Sequence, residues 1–155
     1  MTMNDLQPLM ALLSQTESER DAARADHQRA LAAHQGALGQ AEQLVAYRRD
    51  YEQRWGERFS SAGHIELVQS YHGFMTRLTQ AVEHQQRVVA HASATLDRAG
   101  TALVEQEMRV ASVRKLIERR VHEVQNHEMR REQRQLDELA ARAAWNRLAA
   151  AVTRF

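Results

Sequence analysis

The chain has 155 residues, one proline, six glycines, no cysteine and a formal net charge of +1. A charge so close to zero gives no field that would by itself attract nucleic acid, and the missing cysteines exclude disulfides and thiol catalysis. No apolar stretch is long enough to cross a bilayer and no signal peptide is visible, so we expect a cytoplasmic protein without direct membrane insertion. The Ala-, Glu-, Arg-, Leu- and Gln-rich composition is typical of long helices.

The first predicted helix covers about residues 5–56. Pro8 falls in its first turn, where a helix tolerates proline because the backbone N–H groups there lack intrahelical partners. Gly36 and Gly39 each lower the helix propensity by about 1 kcal/mol, so this helix needs a partner. Apolar residues recur along it at a spacing of seven, as Ala23, Ala30, Ala37, Leu44 and Tyr51.

The second predicted helix covers about residues 64–150, after a Gly- and Ser-containing loop at about 56–63. Its apolar residues also recur every seven positions, as Val68, Met75, Val82, Val89, Leu96, Leu103, Val110, Ile117 and Val124. A second row follows three residues after each, from Tyr71 to His127. This pattern predicts a coiled coil, and the short loop makes the two helices antiparallel.

The predicted fold is therefore all-α: a single domain over residues 1–155, formed by a long antiparallel two-helix coiled coil (an α-hairpin). Facing residues have numbers that sum to about 126, although a register one heptad tighter, near 119, fits the pattern too. In either register the C-terminal helix overhangs the first one. The overhang, from about Arg120 to Arg147, is either a solvated helix held by ion pairs or a docking segment.

The overhang carries two kinds of side chain that bear on this choice. Arginines alternate with glutamates three or four positions away, as Arg119, Arg120, Arg130, Arg131 and Arg134 among Glu118, Glu123, Glu128 and Glu132. A weak apolar face follows, formed by Leu136, Leu139, Ala143 and Leu148.

The histidines do not have the spacing of a metal site. His122 and His127 are five positions apart, which turns their rings about 140° from each other, and His84 and His91 lie about 10 Å apart along the axis. The chain has no Gly-rich phosphate loop, and a two-helix rod has no pocket that excludes water. We therefore expect no metal, no cofactor and no enzymatic activity.

Four aromatic residues should meet beside the loop. Tyr47 and Tyr51 are one turn apart in the first helix, and Tyr71 and Phe74 nearly one turn apart in the second. The cluster either clamps the hairpin or leaves an exposed apolar patch that marks a partner site.

Four segments of this chain resemble the flagellar export protein FliJ family of bacteria: QLVAYRRDYEQRW (43–55), ELVQSYHGFMTRLTQAV (66–82), SVRKLIERR (112–120) and REQRQLDELAARAAW (131–145). The resemblance implies a stalk that joins the hexameric flagellar export ATPase, contacts the cytoplasmic domain of the membrane export gate and escorts export chaperones. It implies a peripheral location at the cytoplasmic face of the inner membrane.

The resemblance also implies two contact surfaces. Gate binding maps onto Gln40, Leu44, Tyr47, Tyr51, Phe74, Leu78, Ala81 and Gln85. Contact with the ATPase ring would use Arg119, Arg120, Arg130, Arg131 and Arg134. The alternative is a generic cytoplasmic coiled-coil scaffold or chaperone unrelated to flagella. A nucleic-acid or membrane-surface binder ranks last, because glutamates interrupt every arginine cluster.

Overall fold

The computed structural model describes residues 3–59 and 65–154, and these residues form three helices and no strand. A short 3₁₀ helix at Met3–Leu6 leads into α1 at Gln7–Phe59, and α2 spans Ile65–Thr153. α1 and α2 pack against each other as a helical hairpin. The all-α hairpin that the heptad pattern predicts is confirmed.

The helix ends differ slightly from the predicted ones. α1 continues to Phe59, so Gly56, which falls in the predicted loop, is helical. Trp55 packs on Tyr71 of α2, with ring centroids 5.9 Å apart, and this contact stabilises the last turns against the low propensity of glycine. α2 begins at Ile65, with Glu66 in its first turn near the positive end of the helix dipole. The predicted loop residues 60–63 lie outside the described part of the chain.

The chain divides into two compact units. We call Glu19–Gln106 the central unit, and Met1–Ser18 together with Glu107–Phe155 the terminal unit. Each unit contains one segment of α1 and one of α2. The prediction of a single domain over the whole chain stays a prediction.

In the central unit, the predicted row of α2 faces inward. Its residues from Val68 to Leu103 are all buried or half-buried, and Val82 is the most enclosed, with 3% of its surface exposed. On α1, Ala30 and Ala37 are buried. The second row of α2 also faces inward, because Leu78 and Gln85 are buried. Two rows three and four residues apart therefore form the contact surface of α2.

Contacts in the central unit favour one of the two registers. Trp55 packs on Tyr71, and the His27 ring lies 3.8 Å from where a Cβ on Gly100 would stand. The residue numbers of these two pairs sum to 126 and 127, which agrees with the predicted register near 126. The tighter register would place His27 opposite Ala92 instead.

In the terminal unit, the buried side chains come from both helical segments: Leu6, Thr16, Val110, Val113 and Val124. The Thr16 hydroxyl donates a hydrogen bond to the Leu13 carbonyl, which satisfies its polar group within α1. Arg114 pairs with Glu17 across the two segments at 3.2 Å.

Beyond Val124 the seam ends. His127, which continues the second row, is exposed, and so is every described residue from Gln125 to Arg154. No described residue of another segment therefore packs on the C-terminal part of α2, as the predicted overhang requires.

Candidate functional site

Five aromatic rings meet in the central unit near the facing ends of α1 and α2. We call this group the aromatic cluster: Tyr47, Tyr51 and Trp55 on α1, with Tyr71 and Phe74 on α2. Tyr47, Tyr51 and Trp55 follow each other at intervals of four, so α1 presents them on one face. The sequence pattern predicts that four of the five meet and does not include Trp55. The spacing of four residues between Tyr51 and Trp55 is the signal that predicts its place on the same face.

Tyr51 is the centre of the aromatic cluster. Its ring centroid lies 4.4 Å from that of Phe74, 5.8 Å from Trp55, 6.0 Å from Tyr71 and 6.2 Å from Tyr47. The Tyr51 and Tyr71 rings are stacked, with an interplanar angle of 13°. Tyr51 therefore holds the two helices together, as the clamp alternative predicts.

Tyr47 has a different environment from Tyr51. It touches Phe74 edge-on, with ring centroids 6.4 Å apart, yet 51% of its surface is exposed. A half-exposed aromatic side chain that is held in place by its neighbours is a good binding anchor, because burying it in an interface removes apolar surface with little loss of entropy. Tyr51 thus fits the clamp alternative, whereas Tyr47 has the exposure that the partner-site alternative requires.

A groove lies beside Tyr47. It is lined by Gln40, Gln43, Leu44 and Tyr47 of α1 and by Gln85 of α2. The predicted gate-binding residues Gln40, Leu44, Tyr47 and Gln85 therefore surround one concavity.

Gln85 is buried on the wall of this groove, with 9% of its surface exposed. Its side-chain Nε2 donates to the Ala37 carbonyl oxygen at 3.1 Å and to Gln40 Oε1 at 3.2 Å. These two bonds satisfy a polar group that would otherwise destabilise the helix seam.

The other predicted gate residues lie on the helix contact surface. Leu78 is buried, whereas Leu44, Tyr51, Phe74 and Ala81 are half-buried. Gln40 and Tyr47 are the two exposed members of the predicted set. A partner on this surface would therefore meet Gln40 and Tyr47 first.

A cation lies at the edge of the aromatic cluster. The Arg58 guanidinium carbon is 5.6 Å from the centroid of the Trp55 ring, within the range of a cation–π interaction. The arginine belongs to the last turn of α1, where positive charge also favours the helix dipole.

The arginines that we predict for the ATPase ring lie in the terminal unit. Arg119, Arg130, Arg131 and Arg134 are exposed, and Arg120 is half-buried. None of the four exposed guanidinium groups pairs with a carboxylate of the described residues. For these four arginines the described residues do not show the ion pairs of the first alternative, because a solvated pair gains too little to immobilise two long side chains.

The same segment exposes large apolar side chains. Between 60% and 74% of the surface of each is exposed: Met129, Leu136, Leu139, Trp145, Leu148 and Val152. Surface of this kind on a single helix is available for a partner.

The described residues contain no group of three or more His, Asp or Glu side chains that could hold a metal ion. Over the same residues, neither helix has an apolar stretch long enough to cross a membrane.

The fold and the site together define an α-helical hairpin of the coiled-coil class. A family model described as "Flagellar FliJ protein" matches residues 5–149, and the chain therefore belongs to the FliJ family. The family membership confirms the resemblance in the sequence and indicates involvement in flagellar protein export, through interactions with components of the export apparatus. Comparisons with curated proteins and with solved structures gave no significant match.

Proposed function

We propose that this chain is a non-enzymatic component of bacterial flagellar protein export. In this proposal it forms the central stalk of the hexameric export ATPase, couples the ATPase to the cytoplasmic domain of the membrane export gate, and escorts export chaperones. The observation that carries the proposal is the exposed segment of α2 from Gln125 to Thr153 in a chain of the FliJ family. A helix that extends past its own partner is suited to enter another protein.

The arginines of the terminal unit suit a ring contact. Arg119, Arg130, Arg131 and Arg134 can donate forked hydrogen bonds to carboxylates of an ATPase subunit, because no carboxylate of the described residues occupies them. Such exposed contacts are weak and salt-sensitive. A stalk inside a ring must not bind one ring position too tightly, so weak polar contacts favour this role.

The groove of the central unit suits the export gate. Tyr47 supplies an exposed aromatic anchor, Leu44 supplies apolar surface, and Gln40 supplies a polar group for orientation. A gate partner has to be held, and anchors of this kind give more binding energy than solvated charges. Held there, the protein would lie peripherally at the cytoplasmic face of the inner membrane.

The escort of chaperones would use the apolar side chains of the exposed segment. Leu136 and Leu139 lie three positions apart on neighbouring parts of the helix surface and are more than half exposed. An amphipathic helix of a chaperone can pack on such a stripe.

Two variants separate the ATPase and gate functions. Tyr47→Ala should weaken binding of the purified gate domain about tenfold, as expected for an aromatic anchor, while stimulation of the export ATPase remains. A chain that ends after His127 retains the buried Val124 but lacks most of the exposed segment, and it should bind the gate domain while losing ATPase stimulation. Isothermal titration and a phosphate-release assay measure the two activities.

The control is Val104→Ala, which truncates an apolar side chain that is 54% exposed and belongs to neither surface. It should leave both activities unchanged. If Tyr47→Ala and the shortened chain each lose both activities to the same degree, the assignment of separate surfaces is wrong.

A further inference from the structure

The buried amide of Gln85 fixes the orientation of a second amide, that of Gln40, at the surface of the groove. A main-chain carbonyl oxygen can only accept a hydrogen bond, so the Gln85 atom 3.1 Å from the Ala37 oxygen must be the nitrogen. The same nitrogen lies 3.2 Å from the Gln40 side chain and donates its other hydrogen there. The Gln40 atom that receives it must therefore be the oxygen.

This chain of bonds leaves the Gln40 amino group on the outside. Gln40 is exposed, and its Nε2 donates to no group among the described residues. Its two N–H donors are therefore available to a partner, on a side chain that lines the groove together with Leu44 and Tyr47. Without the bond from Gln85, the amide of an exposed glutamine would rotate freely and present oxygen and nitrogen alternately.

We propose that Gln85 is a positioning residue that does not touch the partner, and that Gln40 is the hydrogen-bond donor it orients. The groove would then bind a segment of the partner with two features. An oxygen acceptor, either a main-chain carbonyl or a carboxylate, would lie opposite Gln40, and an apolar side chain would pack against Tyr47. This inference rests on the proposed function, because the partner is the export gate. It departs from the direct gate contact that the family resemblance implies for Gln85, since 9% exposure leaves that side chain little surface to offer.

The first test needs no partner. In the ¹⁵N-labelled protein, the Gln85 side-chain amide protons should exchange slowly with water and those of Gln40 quickly. Gln85→Met keeps the length of the side chain and removes its donor, and it should shift the Gln40 amide resonances. A protected Gln40 amide, a rapidly exchanging Gln85 amide, or unchanged Gln40 resonances in Gln85→Met would overturn the assigned geometry.

The second test measures affinity for the purified cytoplasmic domain of the cognate export gate. Gln40→Glu retains the acceptor for Gln85 and replaces the outward donors by an acceptor, so it should weaken binding about tenfold. Gln85→Met should weaken binding about threefold, because Gln40 then has to be oriented on binding. In the background of Gln40→Ala, Gln85→Met should have no further effect.

The double substitution distinguishes positioning from direct contact. If Gln85→Met weakens binding equally with Gln40 and with Gln40→Ala, Gln85 acts independently of Gln40 and the proposal is wrong. If the partner's acceptor is a carboxylate, the loss of affinity caused by Gln40→Glu should become smaller with added salt, because salt screens the repulsion between two negative charges. If the acceptor is a main-chain carbonyl, that loss of affinity should not change with salt.

The two tests also separate this inference from the proposed function. If the unsubstituted chain does not bind the gate domain, the proposed function and the partner chemistry are refuted together. The amide exchange rates then still decide whether Gln85 orients Gln40.

Discussion

Truncation of Tyr51 should destabilise the hairpin far more than truncation of its neighbour Tyr47. Tyr51 contacts four aromatic rings, the nearest with a centroid 4.4 Å away, and each aromatic pair contributes about 0.5–1.5 kcal/mol beyond the burial of its area. Replacing a buried aromatic side chain by alanine typically costs about 3–5 kcal/mol. Because Tyr51 is half-buried, we expect Tyr51→Ala to lower the free energy of unfolding by about 3 kcal/mol.

Tyr47 provides the matched control. It contacts two rings and is 51% exposed, so Tyr47→Ala should cost only about 1 kcal/mol. Urea unfolding followed by circular dichroism at the helix band measures both values, and an unchanged slope with denaturant shows that the comparison is valid. For a chain of this size the difference corresponds to about 6 °C in melting temperature.

Two outcomes would refute this reasoning. Equal destabilisation by the two substitutions would show that Tyr51 is not the centre of the aromatic cluster. Tyr51→Ala with no loss of stability would show that the aromatic cluster does not hold the two helices together.

Four further substitutions test the packing by the same urea unfolding. Val82 is 3% exposed, so Val82→Ala should lower the free energy of unfolding by about 2 kcal/mol. Val104 is 54% exposed, so Val104→Ala should change it by no more than about 0.5 kcal/mol. Equal effects of the two substitutions would contradict the burial of Val82 between the helices. Gly36→Ala should stabilise by about 1 kcal/mol, because a Cβ at Gly36 would meet nothing within 4 Å, and a loss of stability would reveal a close neighbour. Gln106→Leu should stabilise by about 1 kcal/mol, because the buried Gln106 Oε1 has no hydrogen-bond partner among the described residues; destabilisation would show that it has one.

The sequence by itself determined the fold. A residue every seven positions along α2 falls on one stripe whatever the surroundings, since the period of the helix is fixed by its backbone hydrogen bonds. The stripe from Val68 to Val124 is buried or half-buried at every position, as predicted. The sequence also predicts the overhang, although from about Arg120, whereas Val121 is half-buried, Val124 is buried and the exposed surface begins at Gln125.

The sequence left the register open, because a slip of one heptad places apolar residues opposite apolar residues again. Only specific contacts distinguish the two pairings. The packing of Trp55 on Tyr71 and the approach of the His27 ring to Gly100 each need one particular neighbour on the other helix. These contacts exist only once the two helices are side by side.

The tertiary structure also decided which candidate residues are available to a partner. Spacing along a helix places Tyr47 and Tyr51 on one face and cannot separate them, since both lie one turn apart on the same stripe. Packing against α2 places the rings of Tyr71 and Phe74 on Tyr51 and leaves half of Tyr47 exposed. Gln40 and Gln85 differ for the same reason: the position of the facing helix, which no local pattern encodes, makes one amide a surface donor and the other a buried support.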